Sequence, residues 1–227
     1  MLQRERKLVL ENINIFLLVL IGAISAISLY GFSNPSFVNK YIFNISAIRE
    51  ANQWDRLLSS SFLHADGMHL FFNMYVLYMF APSIINSPYF GLLWFLILYF
   101  GAVMGGGLLS YFMNKNNYAY KALGASGGVT GIVMASAVVH PDMGMGIIFL
   151  PFFIPAYIFG FLYLIYSIYS MHNQIGNIGH DAHLGGAIVG IFIPILIYPS
   201  LLSHNFFKIG LLMLPLIYLS YYVYQRR

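Results

Sequence analysis

The sequence contains no cysteine. That excludes disulfides, thiol nucleophiles, thiolate-bound zinc and iron–sulfur clusters. Charge is nearly as scarce: 8% of the 227 residues are Asp, Glu, Lys or Arg, against about 25% in soluble domains. So few charges do not cover a water-facing surface, and 59% of the chain is hydrophobic, with a mean hydropathy of +0.75. A polytopic membrane protein is therefore expected. Period-two alternation is missing too, and a chain that crosses lipid without it crosses as α-helices. The fold class is all-α, a membrane helix bundle. A His-Glu-x-x-His sequence is absent, which removes the common zinc metalloprotease signature. Asp142 and Asp181 both flank apolar runs, so an aspartyl mechanism lacks its intramembrane pair. No cofactor and no metal are implied. The Lys and Arg residues are scattered rather than gathered in one stripe, which argues against a nucleic-acid partner. A net charge of +4 suits anionic lipid headgroups instead.

Seven apolar stretches are present, at 13–32, 67–86, 90–113, 124–140, 147–170, 181–199 and 206–224. Most reach the ~20 residues that a bilayer core requires. The fourth is shorter and glycine-rich, and is expected inside the bundle rather than against lipid. Residues 1–12 form a basic N-terminal segment (Arg4, Arg6, Lys7). Six of these stretches lie in residues 13–200, and the seventh lies in 206–227 with a basic tail. The first stretch is too long for a signal-peptide core and lacks a clear A-x-A end, so it reads as a retained helix. The N-terminal cations favour a cytoplasmic N-terminus. By alternation Lys40, Arg49, Arg56, Lys115 and Lys121 then stand on the opposite side. The long connection at 33–66 mixes Trp54, Asp55 and Arg56 with apolar side chains, which suits a segment lying in the membrane interface.

A few polar groups stand at membrane depth, where they are expensive and mark functional sites. Ser126 lies in Gly124-Ala125-Ser126-Gly127, His183 in Asp181-Ala182-His183-Leu184-Gly185-Gly186, and His69 and Asn73 lie four residues apart. Serine is a weak nucleophile until a nearby base takes its proton, and histidine is the usual base because it titrates near neutrality. His69 and Asn73 project from one helix face. Both donate hydrogen bonds, so with the Ser126 N–H they could form an oxyanion site. Asp181 tempts one to complete a Ser-His-Asp triad. Two residues apart on a helix, however, Asp181 and His183 point in different directions, and Asp181 is expected to cap its helix. Gly101-x-x-x-Gly105, Gly127-x-x-x-Gly131 and Gly186-x-x-x-Gly190 each set small residues on one face. The last two would let the serine and histidine helices approach closely enough for a serine–imidazole hydrogen bond. Pro151 and Pro155 weaken hydrogen bonding at the start of the fifth stretch.

These residues together resemble the rhomboid intramembrane serine proteases. The match runs in order through Trp54-Asp55-Arg56, His64 with His69-Leu70-Phe71-Phe72-Asn73, and the glycine run from Gly101 to Gly107. It continues with Gly124-Ala125-Ser126-Gly127 and Ala182-His183-x-x-Gly186-x-x-x-Gly190. Each part is weak alone and the combination is specific. The resemblance implies a six-plus-one helix arrangement, with Ser126 as nucleophile and His183 as general base in a dyad. His69, Asn73 and the Ser126 N–H would bind the oxyanion, supported by Gly124, Gly127, Gly186 and Gly190. It implies cleavage of transmembrane protein substrates near small and helix-destabilising residues, by a multi-pass protein of a bacterial inner or cell membrane. It also implies a mobile lateral gate near the fifth helix. One departure stands out: the family's usual aromatic four residues after the serine is here Thr130. Another residue must orient His183, or activity is lower.

Two rivals differ in class. His64, His69, His180 and His183 look like fragments of the histidine boxes of membrane di-iron oxygenases. Such clusters use about eight histidines and want carboxylates nearby, and the chain has seven histidines. The non-enzyme rival is a rhomboid-like pseudoprotease that binds membrane-protein clients. Such relatives typically lack the serine or the histidine, and both are present here.

Overall fold

The computed structural model describes residues 14–146, 153–173 and 179–225. Helix α1 (Ile15–Phe32) starts on Asn14, whose side chain accepts the Phe16 N–H. Four short elements then fold the long connection: α2 (Pro35–Tyr41), α3 (Ile45–Ala51), α4 (Arg56–Ser59) and a 3-10 turn (Ser60–Phe62). Asn34 and Asn44 cap α2 and α3 by accepting the N–H groups of Phe37 and Ala47, as short polar side chains do at helix starts. The connection is a packed element. Phe43, Ile45, Ile48 and Leu57 form a small buried cluster of their own. Arg56, 7% exposed, donates to Gln53 and to the carbonyls of Asn39 and Ile42 at 2.7, 3.1 and 2.7 Å. Its planar fork thereby gathers three parts of the chain. Trp54 lies half out in the surroundings, with its ring centroid 4.9 Å from that of Tyr111.

The main bundle follows. It comprises α5 (Gly67–Ile85), α6 (Leu92–Asn114), α7 (Ser126–Val139), α8 (Ala156–Asn173), α9 (His180–Ile197), the short α10 (Ser200–His204) and α11 (Phe206–Gln225). Among the described residues α1, α5, α6 and α9 are long and apolar enough to cross a membrane. The protein is thus an all-α, multi-pass membrane bundle. Helix α7 has 14 residues and all but the first are buried, so it sits inside the bundle, as its glycines and short length indicate. Helix α8 carries tyrosines, Ser167, Ser170, His172 and Asn173, which make it less apolar than the long spans.

Among the described residues, two small β-pairs tie the loops. Phe43–Asn44 (β1) pairs antiparallel with Lys121–Ala122 (β2), which clips the long connection to the segment leading into Ser126. Gly144–Gly146 (β3) pairs with Phe153–Pro155 (β4). The fifth helix therefore starts at Ala156 rather than 147, and Pro155 precedes it instead of lying in its first turn. Proline removes a backbone donor and disfavours helix in the residue before it, so the chain stays extended until the proline has passed. Pro151 lies outside the described residues, and with it most of the segment assigned to the gate.

Helices α6, α7 and α9 meet backbone to backbone. A methyl group on Gly186 would fall on the Gly127 carbonyl, and one on Gly190 on the Gly131 carbonyl. On Gly106 it would come within 2.6 Å of the Ala182 carbonyl oxygen, and on Gly105 within 3.1 Å of that of Gly185. Lipid tails are as apolar as leucine, so helices associate in a bilayer by such close van der Waals contact. Gly101 is different: a methyl there meets only Val189 and Ile193 side chains at ordinary distances of 3.5 and 3.8 Å.

Candidate active site

Ser126 is the first residue of α7. Its N–H therefore has no carbonyl four residues back within the helix and points out of the helix start. The loop that delivers it is held at each step. Gly124 has φ +129°, a backbone region that side chains disfavour, and its N–H donates to the Ser60 carbonyl at 3.1 Å. A methyl on Gly124 would also press on the His69 ring, 2.9 Å from Cε1 and 3.0 Å from Nε2. The same glycine that turns the chain thus makes room for His69 beside the serine.

The Ala125 N–H donates to His64 Nε2 at 3.3 Å, and His64 Nδ1 lies 2.8 Å from Ser28 Oγ. Ser28 Oγ donates its one hydrogen to the Phe62 carbonyl at 2.8 Å, so it accepts from His64. The Nδ1 of His64 then carries the proton, and Nε2 is bare to receive Ala125. Burial pushes the His64 imidazole down to about 3, with His69 lowering it further against an opposing pull from Asp66. His64 is a neutral strut under the serine loop. The motif comparison names His64, but the sequence carries no sign of this role, since its partners lie 36 and 61 residues away in the chain.

His183 sits in the first turn of α9 and is buried. Its helix touches α7 where Gly127 meets the Ala182 carbonyl, 3.2 Å from an added methyl. Its Nδ1 lies 2.9 Å from the Tyr163 hydroxyl of α8, which lies 3.0 Å from Thr130 Oγ1. Ser126 and Thr130 are four residues apart on α7 and share a face, so Tyr163 links His183 to the face that carries Ser126. The expected Ser126–His183 hydrogen bond is not formed. His183 Nε2 is buried without a hydrogen-bond partner among the described residues. Catalytic hydrogen bonds are often long before substrate arrives and tighten afterwards.

His69 and Asn73 share one face of α5, as their spacing requires. Asp66 caps that helix, accepting the His69 N–H at 2.8 Å. Asn73 is buried and donates to the His69 carbonyl at 2.9 Å, leaving its second amide hydrogen for another acceptor. Beside Ser126 a cavity opens, bounded by Leu57, Ser61, Ser110, Gly124, Gly127 and Ala182.

Two residues stand apart from what the motifs suggest. Asp181 is not the cap of α9, because Gly179 occupies that position. Its carboxylate instead accepts from Asn114, from the Tyr120 hydroxyl at 3.0 and 3.1 Å and from the Ala182 N–H at 2.9 Å. It pins the end of α6 and the approach to β2 onto α9. Burial, and then the Asp181 charge, push the Tyr120 phenol upward, so it stays a donor. Second, Tyr163 has no place in any motif of the sequence. It is one of 18 tyrosines, and only the fold brings it to His183. As for metal ligation, both nitrogens of His64 are occupied, and no group of three or more His, Cys, Asp or Glu among the described residues could hold an ion.

A helix start presenting a serine, with a histidine on the neighbouring helix and a His/Asn pair on a third, forms a polar centre in this helical membrane protein. The Rhomboid domain model matches residues 51–200, and the chain belongs to the rhomboid family. It is 33% identical over 137 residues to "Presenilin-associated rhomboid-like protein, mitochondrial" of Homo sapiens, covering 60% of this chain and 36% of that one. It is 32% identical over 144 residues to "Presenilin-associated rhomboid-like protein A, mitochondrial" of Danio rerio, covering 60% and 35%. It is also 28% identical over 179 residues to "RHOMBOID-like protein 12, mitochondrial" of Arabidopsis thaliana, covering 70% and 50%. The chain spans a third to a half of the length of these curated relatives.

Proposed function

We propose that this protein is an intramembrane serine endopeptidase that cleaves transmembrane segments of protein substrates. The observation that carries the reading is Ser126 at the open start of α7, on the face to which His183 is linked through Tyr163 and Thr130. In the first step Ser126 Oγ attacks the scissile carbonyl and passes its proton to His183 Nε2. The carbonyl oxygen becomes an oxyanion that receives the Ser126 N–H, His69 Nε2 and the spare amide hydrogen of Asn73. Collapse of this intermediate breaks the C–N bond, and His183 returns the proton to the leaving amine. An acyl ester on Ser126 remains. Water from the adjacent cavity attacks the ester with His183 again as base, which releases the acid and restores the serine. Donors already oriented toward the position where the negative charge develops act strongly. A stable substrate helix hides its carbonyls, so the substrate must unwind to offer one. The chain organisation proposed for this activity is a basic segment at 1–12, a protease core at 13–200 and an added helix and tail at 206–227.

A second reading, a rhomboid-like pseudoprotease that binds membrane-protein clients with little or no cleavage, draws on the absent Ser126–His183 hydrogen bond. Labelling of the detergent-purified protein with a fluorophosphonate probe separates the two. The protease reading expects labelling in the wild type and none in Ser126→Ala or His183→Ala. A folded wild type that neither labels nor cleaves a model transmembrane substrate in liposomes favours the client-binding reading. For the membrane, the reading is a bacterial inner or cell membrane. The names of the relatives place those proteins in mitochondria, and localisation of the tagged protein in its own cells decides the matter.

A further inference from the structure

A histidine that serves as base for serine must be the tautomer with a bare Nε2. In general a third group enforces this by accepting the hydrogen on Nδ1. Asp181 does not serve here, since its carboxylate faces Asn114 and Tyr120. Position 130, one turn after the serine, holds a threonine whose hydroxyl meets Tyr163 rather than the imidazole. The geometry points to Tyr163 of α8 as the positioning residue of the base, with Thr130 as the group that orients Tyr163 in turn. This rests on the serine-protease reading above.

Three features support the assignment. The Tyr163 hydroxyl is 2.9 Å from His183 Nδ1 and 3.0 Å from Thr130 Oγ1. A bare Nε2 on His183 places the hydrogen on Nδ1, where Tyr163 Oη accepts it. The phenol hydrogen is then free to go to Thr130 Oγ1. The two rings also lie nearly parallel, 26° apart with centroids separated by 6.1 Å, and Phe159 backs Tyr163 one turn earlier at 6.2 Å and 12°. The phenol thus fixes both the tautomer and the plane of the imidazole. Unlike a carboxylate it brings no negative charge to the imidazolium that forms during attack. Its contribution is therefore smaller than that of a charged third member.

The test uses the full-length protein in detergent and in liposomes. Tyr163→Phe keeps the ring and its packing and removes only the oxygen. Expected is a fall in kcat of about 10- to 100-fold, well short of the ~10⁴-fold that follows loss of a charged orienter, with KM and melting temperature nearly unchanged. Thr130→Val should lower kcat by less. The double variant should be no worse than Tyr163→Phe alone, because the two residues act as one unit. A structural role would not alter the tautomer, so ¹⁵N NMR of labelled histidine is the second readout. The His183 signal, assigned by its loss in His183→Ala, should report the Nδ1–H form in wild type and a mixture in Tyr163→Phe. An unchanged tautomer in Tyr163→Phe overturns the proposal, whatever kcat does, as does an unchanged kcat in an active enzyme. If Tyr163→Phe does not fold, Thr130→Val carries the test, and unchanged kcat and tautomer there overturn it. If the folded wild type shows no cleavage and no labelling, the protease reading fails, while the NMR comparison still judges the Tyr163–His183 contact by itself.

Discussion

Protonation of His64 should loosen the serine loop, and its effect on stability can be worked out. In the folded protein Nε2 accepts the Ala125 N–H and Nδ1 donates to Ser28, so a proton on Nε2 would set two N–H groups against each other. The folded imidazole takes a proton only near pH 3, against 6.5 for a free histidine. Between those values the unfolded chain binds a proton that the folded chain refuses, so stability falls as pH falls through that window and is unaffected above it. The slope approaches about 1.4 kcal/mol per pH unit. Between pH 7.5 and pH 4.5, two units below the unfolded value, the loss from this residue is about 2.7 kcal/mol. The assay is SDS-induced unfolding of the purified protein in mixed micelles, wild type beside His64→Asn, across that pH range. At pH 7.5 the variant should be weaker by about 1–3 kcal/mol, the cost of unpaired buried groups. At pH 4.5 the gap should have closed or reversed, because only the wild type has lost the His64 contribution. Other titrating groups are common to both proteins and largely cancel in the difference. A gap that stays constant from pH 7.5 to 4.5 would refute the reasoning and mean that His64 titrates alike in both states.

Other expectations concern single side chains. Gly186→Val should destabilise the bundle by about 3 kcal/mol or more, at or beyond the upper end for overpacking, because its first carbon falls on the Gly127 carbonyl. Gly101→Ala, where the neighbours stand at 3.5 Å or more, should be neutral or stabilising in the same unfolding assay, by up to about 1 kcal/mol from helix propensity. Arg56→Lys should lower stability by about 1–3 kcal/mol, since an ammonium does not reproduce the fork that serves Gln53, Asn39 and Ile42. Asp181→Asn should lower the melting temperature yet keep most of the cleavage of a model transmembrane substrate. Asn73→Ala should cut kcat by about 10-fold or more through loss of one oxyanion donor.

Much of the fold is legible in the sequence because lipid imposes simple rules. Scarce charge and long apolar runs require helices, and glycines at spacing four mark the faces where α7 and α9 touch. The short, glycine-rich stretch after Ser126 announces a helix surrounded by others. The legible part of the site is the part written in local order: Ser126 at a helix start between glycines, and His69 and Asn73 one turn apart. What the sequence hides depends on contacts between distant segments. The support of His183 comes from Tyr163, a residue of ordinary type on a different helix. The strut under Ala125 comes from His64, which looks equally like half of a metal box. Asp181 carries the residue type of a helix cap at a plausible position, but Asn114 and Tyr120 compete for its carboxylate and hold it. The start of α8 is hidden because Phe149 to Phe153 is apolar enough for a span, while the pairing of Phe153–Pro155 with Gly144–Gly146 is a tertiary event without a local sign.

The glycine contacts among α6, α7 and α9 have a consequence for precision. Where side chains separate two helices, the spacing is an average over rotamers and shifts as those rotamers repopulate with heat or with the surrounding lipid. Here peptide groups rest directly on α-carbons, as at Gly186 on Gly127 and Gly190 on Gly131. Atomic radii then set the gauge between the helix that carries Ser126 and the helix that carries His183. The polar centre therefore has a hard-wired width, which stays the same from one membrane composition to another, while softer helices around it adapt to the thickness of the bilayer.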